Sequence, residues 1–330
     1  MQKGSNVSVI ESRTVDYEMP SAERKYLVIL NPASRSGRAA ALANTVDNLF
    51  SHILSPVALE ITKGPGHARV LAAKYAADYD VIIVMGGDGT VHEVGTGLLS
   101  VPAGAAMAVL PVGTGNDFAR MLGMNSELKS AALQLCGASF INSDVGLINF
   151  SDSTGRHESH FINAVGIGFD GYAASIAPRF KHLPFNSGYL ITVLRALANW
   201  QAVPAEIRDD VLSDTVRTQL FMMTVGNAMD SGGGFRINPK ASIVDGVLDV
   251  CLVSHVSILR ALRLLPSAAK GQHLDFPEVQ YWHSRNLTVN TESPVPIHAD
   301  GEILSLDAMK FEIQNIPGAL RLFVPDPSIL

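Results

Sequence analysis

Cysteine is scarce in this chain, which has only Cys136 and Cys251 among its 330 residues. Two cysteines so far apart do not make the disulfide framework of a small secreted domain, so we expect a reducing, cytoplasmic environment. Positive charge is also scarce, because 25 Lys and Arg stand against 31 Asp and Glu. Nucleic-acid binding needs a basic face that neutralises phosphates, so this balance argues against a nucleic-acid partner.

Long hydrophobic runs are missing as well. No apolar run approaches the roughly 18–20 residues of a membrane-spanning helix, and the first residues lack the apolar centre of a signal peptide. We therefore expect that this chain is not an integral membrane protein. The sequence does not exclude contact with a membrane surface. Charged residues make up 17% of the chain, against about 25% in an average soluble domain. This shortfall predicts either a large buried fraction or a surface that faces something apolar.

The first part of the chain has the pattern of an α/β domain. Residues 1–24 are polar and without pattern, and we expect a disordered tail there. Short apolar runs such as Tyr26–Leu30 and Val81–Met85 then alternate with helical stretches. Arg38–Leu54 carries apolar residues at helical spacing and is predicted to form one helix. Strands that alternate with helices predict βαβ units and a parallel sheet buried on both faces.

The pattern changes after about residue 140 to a series of β runs, of which His157–Phe169 is a long example. Several of these runs alternate between apolar and polar residues, as antiparallel strands do. Two helical segments, Gly188–Trp200 and Val256–Ala269, interrupt the β runs. Residues 141–304 are therefore predicted to form a second, mostly β domain.

Two glycine-rich segments follow consecutive predicted strands, GGDGT at residues 86–90 and GTGND at residues 113–117. The carboxyl ends of parallel strands meet at one edge of a sheet, where ligands bind. Glycine lets backbone N–H groups approach an anion closely, and a following helix N-terminus adds a favourable dipole. One such loop is equally compatible with an ordinary strand–helix turn. Two of them, one strand apart, favour a phosphate-binding site.

Each of these loops also carries a carboxylate, Asp88 in the first and Asp117 in the second. Carboxylates repel phosphate unless a cation lies between them, and Mg²⁺ prefers such oxygen ligands. The loops therefore indicate a Mg²⁺–nucleoside triphosphate.

The Walker pattern GxxxxGK[ST] does not occur. Gly166–Gly171 matches GxGxxG, but no acidic residue follows it before Glu206, so we interpret it as a strand-end turn.

Taken together, these segments resemble the diacylglycerol kinase catalytic-domain family, and more narrowly the soluble bacterial lipid kinases of the diacylglycerol kinase and YegS-like type. GGDGT alone would also fit NAD kinases and phosphofructokinases, whereas GGDGT followed by PxGTGND and a late DGE is more selective. The motifs that carry the resemblance are NPASRSG (31–37), GGDGTVHE (86–93), PVGTGNDFAR (111–120), GIGFDG (166–171), DGVLDV (245–250) and DGE (300–302).

The resemblance implies an α/β nucleotide-binding domain over residues 25–140 and a β-sandwich lipid-substrate domain over 141–304, with residues of about 305–330 returning to the first domain. It implies ATP- and Mg²⁺-dependent phosphorylation of a lipid hydroxyl, with a lipid substrate at a membrane surface as partner. A homodimer is compatible with it, and the oligomeric state stays open. Two other functions remain as alternatives: an NAD-kinase-like phosphotransferase that acts on a soluble hydroxyl, and a catalytically silent lipid- or nucleotide-binding regulator.

The resemblance also implies roles for particular residues of this chain. Asp88 and Asp117 are the expected Mg²⁺ ligands, and a second, structural Mg²⁺ is expected at Asp245 with the carbonyls of Ser242 and Val247. The expected contacts to the nucleotide are Asn31, Pro32, Ser34, Thr62, Gly86, Gly87, Asp88, Gly89, Thr90, Glu93, Gly113, Thr114, Asn116 and Asp117.

Asp300 is the expected catalytic base, with Glu302 orienting it or sharing the role, because the acceptor hydroxyl must lose its proton to a nearby carboxylate. The spacing does not decide between the two acids. Asp300-Gly301 and Asp245-Gly246 are also compatible with plain turns. The chain departs from the family at Arg35, where a glycine is usual, and at His92, where an asparagine is often found.

The lipid side of the site is harder to interpret. Val256–Ala269 has an apolar stripe at Ile258, Leu259, Leu262 and Leu265, with Arg260 and Arg263 beside it. Such a helix can lie at a membrane interface, but we favour an amphipathic helix that covers the sheet.

Overall fold

The structure is a computed structural model that describes residues 24–51, 53–54, 57–102, 104–177 and 185–330, with the backbone alone for residues 185–190. The predicted tail over residues 1–24 lies outside the described residues apart from Arg24.

The first half of the chain forms a parallel sheet, as its alternating pattern predicts. The edge strand Val57–Ile61 pairs with Tyr26–Leu30, which pairs with Val81–Gly86, which in turn pairs with Ala106–Pro111. All but the edge strand are buried along their whole length. Helices cover the sheet, which explains why the strands are continuous apolar runs rather than alternating ones. The strands are β1 (Tyr26–Leu30), β2 (Val57–Ile61), β3 (Val81–Gly86) and β4 (Ala106–Pro111). The helices are α1 (Val46–Phe50), α2 (His67–Tyr75), α3 (Asp88–Leu99), α4 (Asp117–Met121) and α5 (Leu128–Gln134).

This strand order places the binding edge of the sheet. The chain leaves β1 toward β2 on one side and leaves β3 toward β4 on the other, so the connections diverge between β1 and β3. A crevice opens outside the carboxyl ends of parallel strands at such a point. The loops that follow β1, β3 and β4 therefore meet at one edge.

The prediction of a single helix over Arg38–Leu54 is wrong. The structure has a 3-10 helix over Arg38–Thr45, and α1 then spans only Val46–Phe50. The reason lies in which side chains of the two segments are buried. Ala39 is the one buried residue of the 3-10 segment, whereas Val46 and Phe50 lie one turn apart and are both buried. A helix without a large buried side chain gains little from packing.

The second half is β-rich and antiparallel, as predicted. The expected run His157–Phe169 is two strands. Gly155–Phe161 pairs with Ser139–Asp152, and after Ile162 and Asn163 the chain continues as Ala164–Gly168, which pairs with Val216–Gly226 and Asn286–Ala299. The strands Val203–Asp209 and Val279–Ser284 were not predicted. The strands are β5 (Ser139–Asp152), β6 (Gly155–Phe161), β7 (Ala164–Gly168), β8 (Val203–Asp209), β9 (Val216–Gly226), β10 (Leu248–Ser254), β11 (Val279–Ser284), β12 (Asn286–Ala299) and β13 (Glu302–Val324).

Strand β13 joins the two halves. It is 23 residues long and pairs with β12 and β5 over most of its length. Near its end Leu322 pairs with Met107 of β4 in parallel, so the last part of the chain lies in the sheet of the first half. All the described strands are connected through this strand into one hydrogen-bonded network. The DGE segment at the start of β13 is thereby held at a fixed position relative to the first half.

Three helices cover the second half: α6 (Phe169–Ile176), α7 (Phe185–Asn199) and α8 (Ile258–Ala268). The apolar stripe predicted to pack α8 on the sheet points mostly outward, because Leu259 is 77% exposed and Ile258 is 52% exposed. The helix instead buries Ala261, Leu264 and Ala268. None of the described helices is long and apolar enough to cross a membrane.

Candidate active site

The loops after β1, β3 and β4 surround one cavity of about 600 Å³. Most of its wall is backbone and small side chains, as a phosphate site requires. Glu302, from the start of β13, also lines it, whereas Asp88, Asp117 and Asp300 do not. The lining residues are Asn31, Pro32, Ala33, Ser34, Arg35, Thr62, Lys63, Gly64, Pro65, Ala68, Gly87, Gly89, Thr90, Glu93, Gly113, Thr114 and Glu302.

The two glycine loops touch each other backbone to backbone. A Cβ atom placed on Gly113 would overlap the Cα of Gly87. The pair of glycines therefore allows the two loops to lie side by side, with their backbones exposed to the cavity. The GTGND loop is braced internally, because Gly113 N donates to Asn116 Oδ1 at 2.7 Å and Asn116 Nδ2 donates to Gly113 O at 3.0 Å. In this structure Asn116 supports the loop.

The first loop is held against both of its neighbours. Asn31 Nδ2 donates to Thr90 Oγ1 at 2.9 Å, which ties the end of β1 to the GGDGT segment. Arg35 takes a left-handed conformation that is more usual for glycine, with φ at 51°. Its guanidinium reaches the carbonyls of Pro111 and Gly113 at 3.4 and 3.5 Å. A residue other than glycine thus takes the left-handed position in this turn, and its side chain adds a positive charge at the cavity wall.

Glu93 has a structural task besides lining the cavity. Its carboxylate accepts hydrogen bonds from Gly66 N at 2.8 Å and from Ala68 N at 3.0 Å. It therefore caps the N-terminus of α2 and holds the loop that contains Thr62. Thr62 is itself buried in the cavity wall.

Asp88 and Asp117 lie beside each other just behind the glycine loops. Asp88 Oδ1 accepts from Phe118 N at 3.2 Å. Burial raises the pKa of Asp88, and the charge of Asp117 raises it further. A cation between the two carboxylates would relieve the repulsion that Asp117 exerts on Asp88, so the chemistry of the pair suits a hard cation such as Mg²⁺. Both oxygens of Asp117 accept hydrogen bonds in this structure, which a bound cation would share or displace.

Asp117 also connects the first half to a loop of the second. Its Oδ1 accepts from Arg120 at 2.9 Å and its Oδ2 accepts from Gly233 N at 2.7 Å. Arg120 also contacts Asp230 at 3.3 Å. No local pattern in the sequence joins Asp230 to this site, although the three consecutive glycines Gly232–Gly234 are a signal of an unusual loop there, and all three have positive φ in the structure.

The DGE segment forms a tight turn between β12 and β13. Asp300 and Gly301 both have positive φ, at 49° and 87°, as a two-residue hairpin turn requires. The Asp300 carboxylate accepts hydrogen bonds from the backbone N–H groups of Ile162, Asn163 and Ala164, each at 2.9 Å. Its Oδ2 also lies 2.7 Å from His92 Nδ1, and its side chain is 2% exposed. The interpretation as a turn is therefore right for the backbone, and the side chain has no oxygen facing the cavity.

Glu302 is placed differently. Its side chain is 46% exposed, and its Oε2 lies 3.8 Å from His92 Nε2. Burial opposes a charged His92, but the hydrogen bond and charge of Asp300 outweigh it and raise the pKa of His92. Of the two acids in the segment, Glu302 is the one that a substrate in the cavity can reach.

The expected structural cation site lies away from this cavity. Asp245 Oδ1 accepts from Val247 N at 3.1 Å, which is a turn contact. Burial raises the pKa of Asp245, and so does the nearby Asp144. A carboxylate in this state suits a hard cation. No cluster of three or more His, Cys, Asp or Glu side chains that could hold a metal occurs within the described residues. The second Mg²⁺ stays a prediction.

The GIGFDG segment ends β7 and opens α6, with Gly168 at φ 84°. Asp170 lies 3.1 Å from His298 Nε2, and the charge of His298 lowers the pKa of Asp170 although burial raises it. Asp170 also lines a second, smaller cavity of about 60 Å³ under α8. The wall of this second cavity is mostly apolar and includes Phe169, Met222, Phe235, Val253, Leu264, Leu265 and Ala268.

The chain thus joins an α/β half that carries paired glycine loops to a β-rich, antiparallel half. Residues 25–148 match the model of the diacylglycerol kinase catalytic domain, and residues 163–324 match that of the YegS C-terminal NAD kinase beta sandwich-like domain.

The relatives agree with these matches. The chain is 31% identical over 307 residues to a diacylglycerol kinase of Mycobacterium tuberculosis, covering 91% of this chain and 95% of that protein. It is 29% identical over 236 residues to a diacylglycerol kinase of Bacillus subtilis, covering 70% and 74%. A crystal structure of a diacylglycerol kinase from Bacillus anthracis shares the fold, with a TM-score of 0.67 and 21% identity over 93% of this chain and 98% of that one. The chain belongs to the diacylglycerol kinase family of lipid kinases.

Proposed function

We propose that this protein transfers the γ-phosphoryl group of ATP, with Mg²⁺, to the free hydroxyl of diacylglycerol or a closely related lipid. The observation that supports this most strongly is the cavity at the β1–β3 edge. It brings the first loop, both glycine loops and Glu302 to one opening. A phosphate donor bound in this cavity would face Glu302, the proton acceptor of this proposal.

The glycine loops bind the triphosphate in this proposal. Gly87, Gly89 and Thr114 line the cavity and would offer backbone N–H groups to the phosphates, and Arg35 adds a positive charge. Asp88 and Asp117 would hold Mg²⁺, which when bound neutralises negative charge on the phosphates. Positioning and charge neutralisation provide most of the catalysis in phosphoryl transfer.

Glu302 accepts the proton. The lipid hydroxyl oxygen forms a bond to the γ-phosphorus while the bond from that phosphorus to the β–γ bridging oxygen breaks, and ADP leaves with the electron pair. The hydroxyl proton passes to the Glu302 carboxylate, which reaches the cavity. Asp300 does not take this role, because its two oxygens already accept from three backbone N–H groups and face His92. We assign Asp300 to holding the turn and His92.

The apolar cavity under α8 marks the place where the lipid would enter, and at about 60 Å³ it has to widen to admit an acyl chain. Ser231 and Gly232 line it, and the next residue in the chain, Gly233, donates to Asp117. The loop over residues 231–235 thus adjoins both the apolar cavity and the predicted Mg²⁺ ligand. A lipid that enters under α8 would present its polar end toward the phosphate side.

The membrane supplies this lipid at the outer face of α8. Ile258, Leu259 and Leu262 are 52%, 77% and 37% exposed, and they lie on the helix whose inner face closes the apolar cavity. Ile191 and Leu194 of the adjacent α7 are exposed as well. An exposed apolar helix face of this kind suits contact with the interface of a bilayer.

A substrate panel tests the proposal. The purified protein is incubated with γ-labelled ATP and Mg²⁺ against diacylglycerol, phosphatidylglycerol, a sphingoid base and NAD. We expect label in the diacylglycerol product, and no label when Mg²⁺ is removed by a chelator. Label in NAD alone would support the NAD-kinase-like alternative, and no label in any acceptor would support a silent binding protein.

A further inference from the structure

His92 lies buried between the two acids of the DGE segment. It is on α3, one turn after Asp88, and its side chain is 2% exposed. Its Nδ1 is 2.7 Å from Asp300 Oδ2, and its Nε2 is 3.8 Å from Glu302 Oε2. One imidazole therefore spans from a buried acid to the acid that lines the cavity.

The surroundings of Asp300 fix the role of each ring nitrogen. Three backbone N–H groups donate to the Asp300 carboxylate, so both of its oxygens act as hydrogen-bond acceptors. His92 Nδ1 must then carry the hydrogen that points at Asp300. Consequently, His92 is protonated and deprotonated at Nε2. Without that proton, Nε2 presents a lone pair toward the Glu302 carboxylate, whereas with it Nε2 becomes a donor.

We propose that His92 is a positioning residue for Glu302: as an imidazolium fixed by Asp300, it directs Nε2–H at the Glu302 carboxylate and holds that carboxylate, ionised, at the cavity wall. The present 3.8 Å separation is an ion-pair distance, slightly too long for a hydrogen bond. Glu302 is half exposed, so a small rotation of its side chain closes the gap when substrate excludes water. This inference rests on the proposed role of Glu302 as proton acceptor.

The charges around His92 are consistent with a protonated ring. Asp300 and Glu302 face it from the β12–β13 hairpin, Arg69 approaches from α2 and His160 lies on β6. Burial and Arg69 disfavour the imidazolium, but the two acids outweigh them, so the pKa of His92 is raised above its ordinary value near 6.5. Burial lowers the pKa of His160, which therefore stays neutral at physiological pH and does not compete for the acids.

The sign of the pH effect follows from this arrangement. The active form needs Glu302 ionised and His92 protonated. Activity should therefore fall as the pH rises through the raised pKa of His92, because Nε2 then loses its donor. A histidine that merely filled space would give no such alkaline limb.

The direct test is an NMR titration of the histidine rings, which requires no catalysis. We expect the pKa of His92 to fall by at least about 0.5 pH unit in Glu302→Gln, since removal of a nearby opposite charge disfavours the charged form. Glu292→Gln, an exposed acid away from the site, is the matched control and should leave His92 unchanged. The pKa of His160 should be unchanged in both variants. A His92 titration identical in wild type and Glu302→Gln overturns the inference.

A kinetic test uses two conservative variants. The Gln side chain reaches toward the Nε2 position and keeps a donor for Glu302, whereas the shorter Asn side chain keeps a donor for Asp300 only. We expect His92→Gln to lose the alkaline limb of the kcat/KM profile and to retain about tenfold more kcat than His92→Asn, with KM for ATP unchanged in both. An alkaline limb at the same pH in His92→Gln would contradict the inference.

The two tests separate this inference from the proposed function. If His92 responds to Glu302→Gln but no lipid is phosphorylated, the contact stands and the proposed function fails. If diacylglycerol is phosphorylated but His92 does not respond, the proposed function stands and the role of His92 fails.

Discussion

The phosphate side and the lipid side of this protein are built in different ways. The cavity at the β1–β3 edge is made of short contiguous loops, each at the end of a buried strand. The apolar cavity under α8 is made of single side chains from β9, β10, α6, α8 and the loop over residues 231–235. Backbone geometry therefore defines the first site, and side-chain volume defines the second.

This difference predicts how each site responds to substitutions. A loop built from backbone tolerates no added atom where two loops touch, because neither backbone can move aside cheaply. A cavity built from side chains tolerates changes in its lining by repacking, at a graded cost. The following three substitutions test that contrast.

The largest effect should come from Gly113→Ala. The new Cβ would overlap the Cα of Gly87 and force the two glycine loops apart. A displacement of about 1 Å at a reacting site costs on the order of 10²-fold in rate. We expect kcat/KM for ATP to fall by at least that factor.

The control for Gly113→Ala is Gly137→Ala, where a Cβ would meet nothing within 4 Å. Steady-state kinetics with ATP as the varied substrate, together with thermal unfolding, would separate a local change from loss of the fold. Wild-type kinetics in Gly113→Ala would show that the loops are not packed as described.

An intermediate effect should come from Ala268→Leu, which adds side-chain volume to the apolar cavity. A change of one methylene in an apolar pocket is worth about 10–200-fold in specificity. We expect kcat/KM for a long-chain diacylglycerol to fall by about tenfold or more, while KM for ATP is unchanged.

Ala261→Leu is the matched control for the apolar cavity, because Ala261 is buried on the same helix but does not line the cavity. Both variants should lose similar stability through overpacking, about 1–3 kcal/mol. Equal loss of lipid turnover in the two variants would argue that this cavity does not receive the lipid.

The smallest effect should come from Leu259→Glu on the outer face of α8. Leu259 contacts little of the protein, so its replacement should leave the melting temperature unchanged. Full burial of a Leu side chain is worth about 1.5–3 kcal/mol, and partial insertion into a bilayer less. We expect binding to anionic phospholipid vesicles, measured by sedimentation, to weaken about fivefold. Val211→Glu, at a position elsewhere that is 65% exposed, should bind as the wild type does.

The same contrast explains what could be predicted from sequence. The buried strands and the glycine loops are contiguous in the chain, so their periodicity and spacing gave the parallel sheet and the phosphate-binding edge. The contact between Gly87 and Gly113 follows directly from strands β3 and β4 being neighbours. Glu302 was singled out by its motif, although the motif did not show which acid reaches the cavity.

The remaining features depend on contacts between residues distant in sequence. Asp300 is held by N–H groups 136–138 residues earlier in the chain, and Asp117 by Gly233, 116 residues later. No local pattern encodes such pairs. The orientation of α8 was predicted wrongly for a related reason. Its buried face includes two small residues, Ala261 and Ala268, whereas the larger apolar side chains of Ile258 and Leu259 in the predicted stripe are exposed.

The most direct test of the account compares Glu302→Gln with Glu292→Gln in the transfer of label from γ-labelled ATP to diacylglycerol. A general base contributes about 10²–10⁴-fold, so we expect Glu302→Gln to lose that factor in kcat while it keeps the ATP affinity of the wild type, and Glu292→Gln to lose nothing. Near-normal turnover by a folded Glu302→Gln variant would contradict the account.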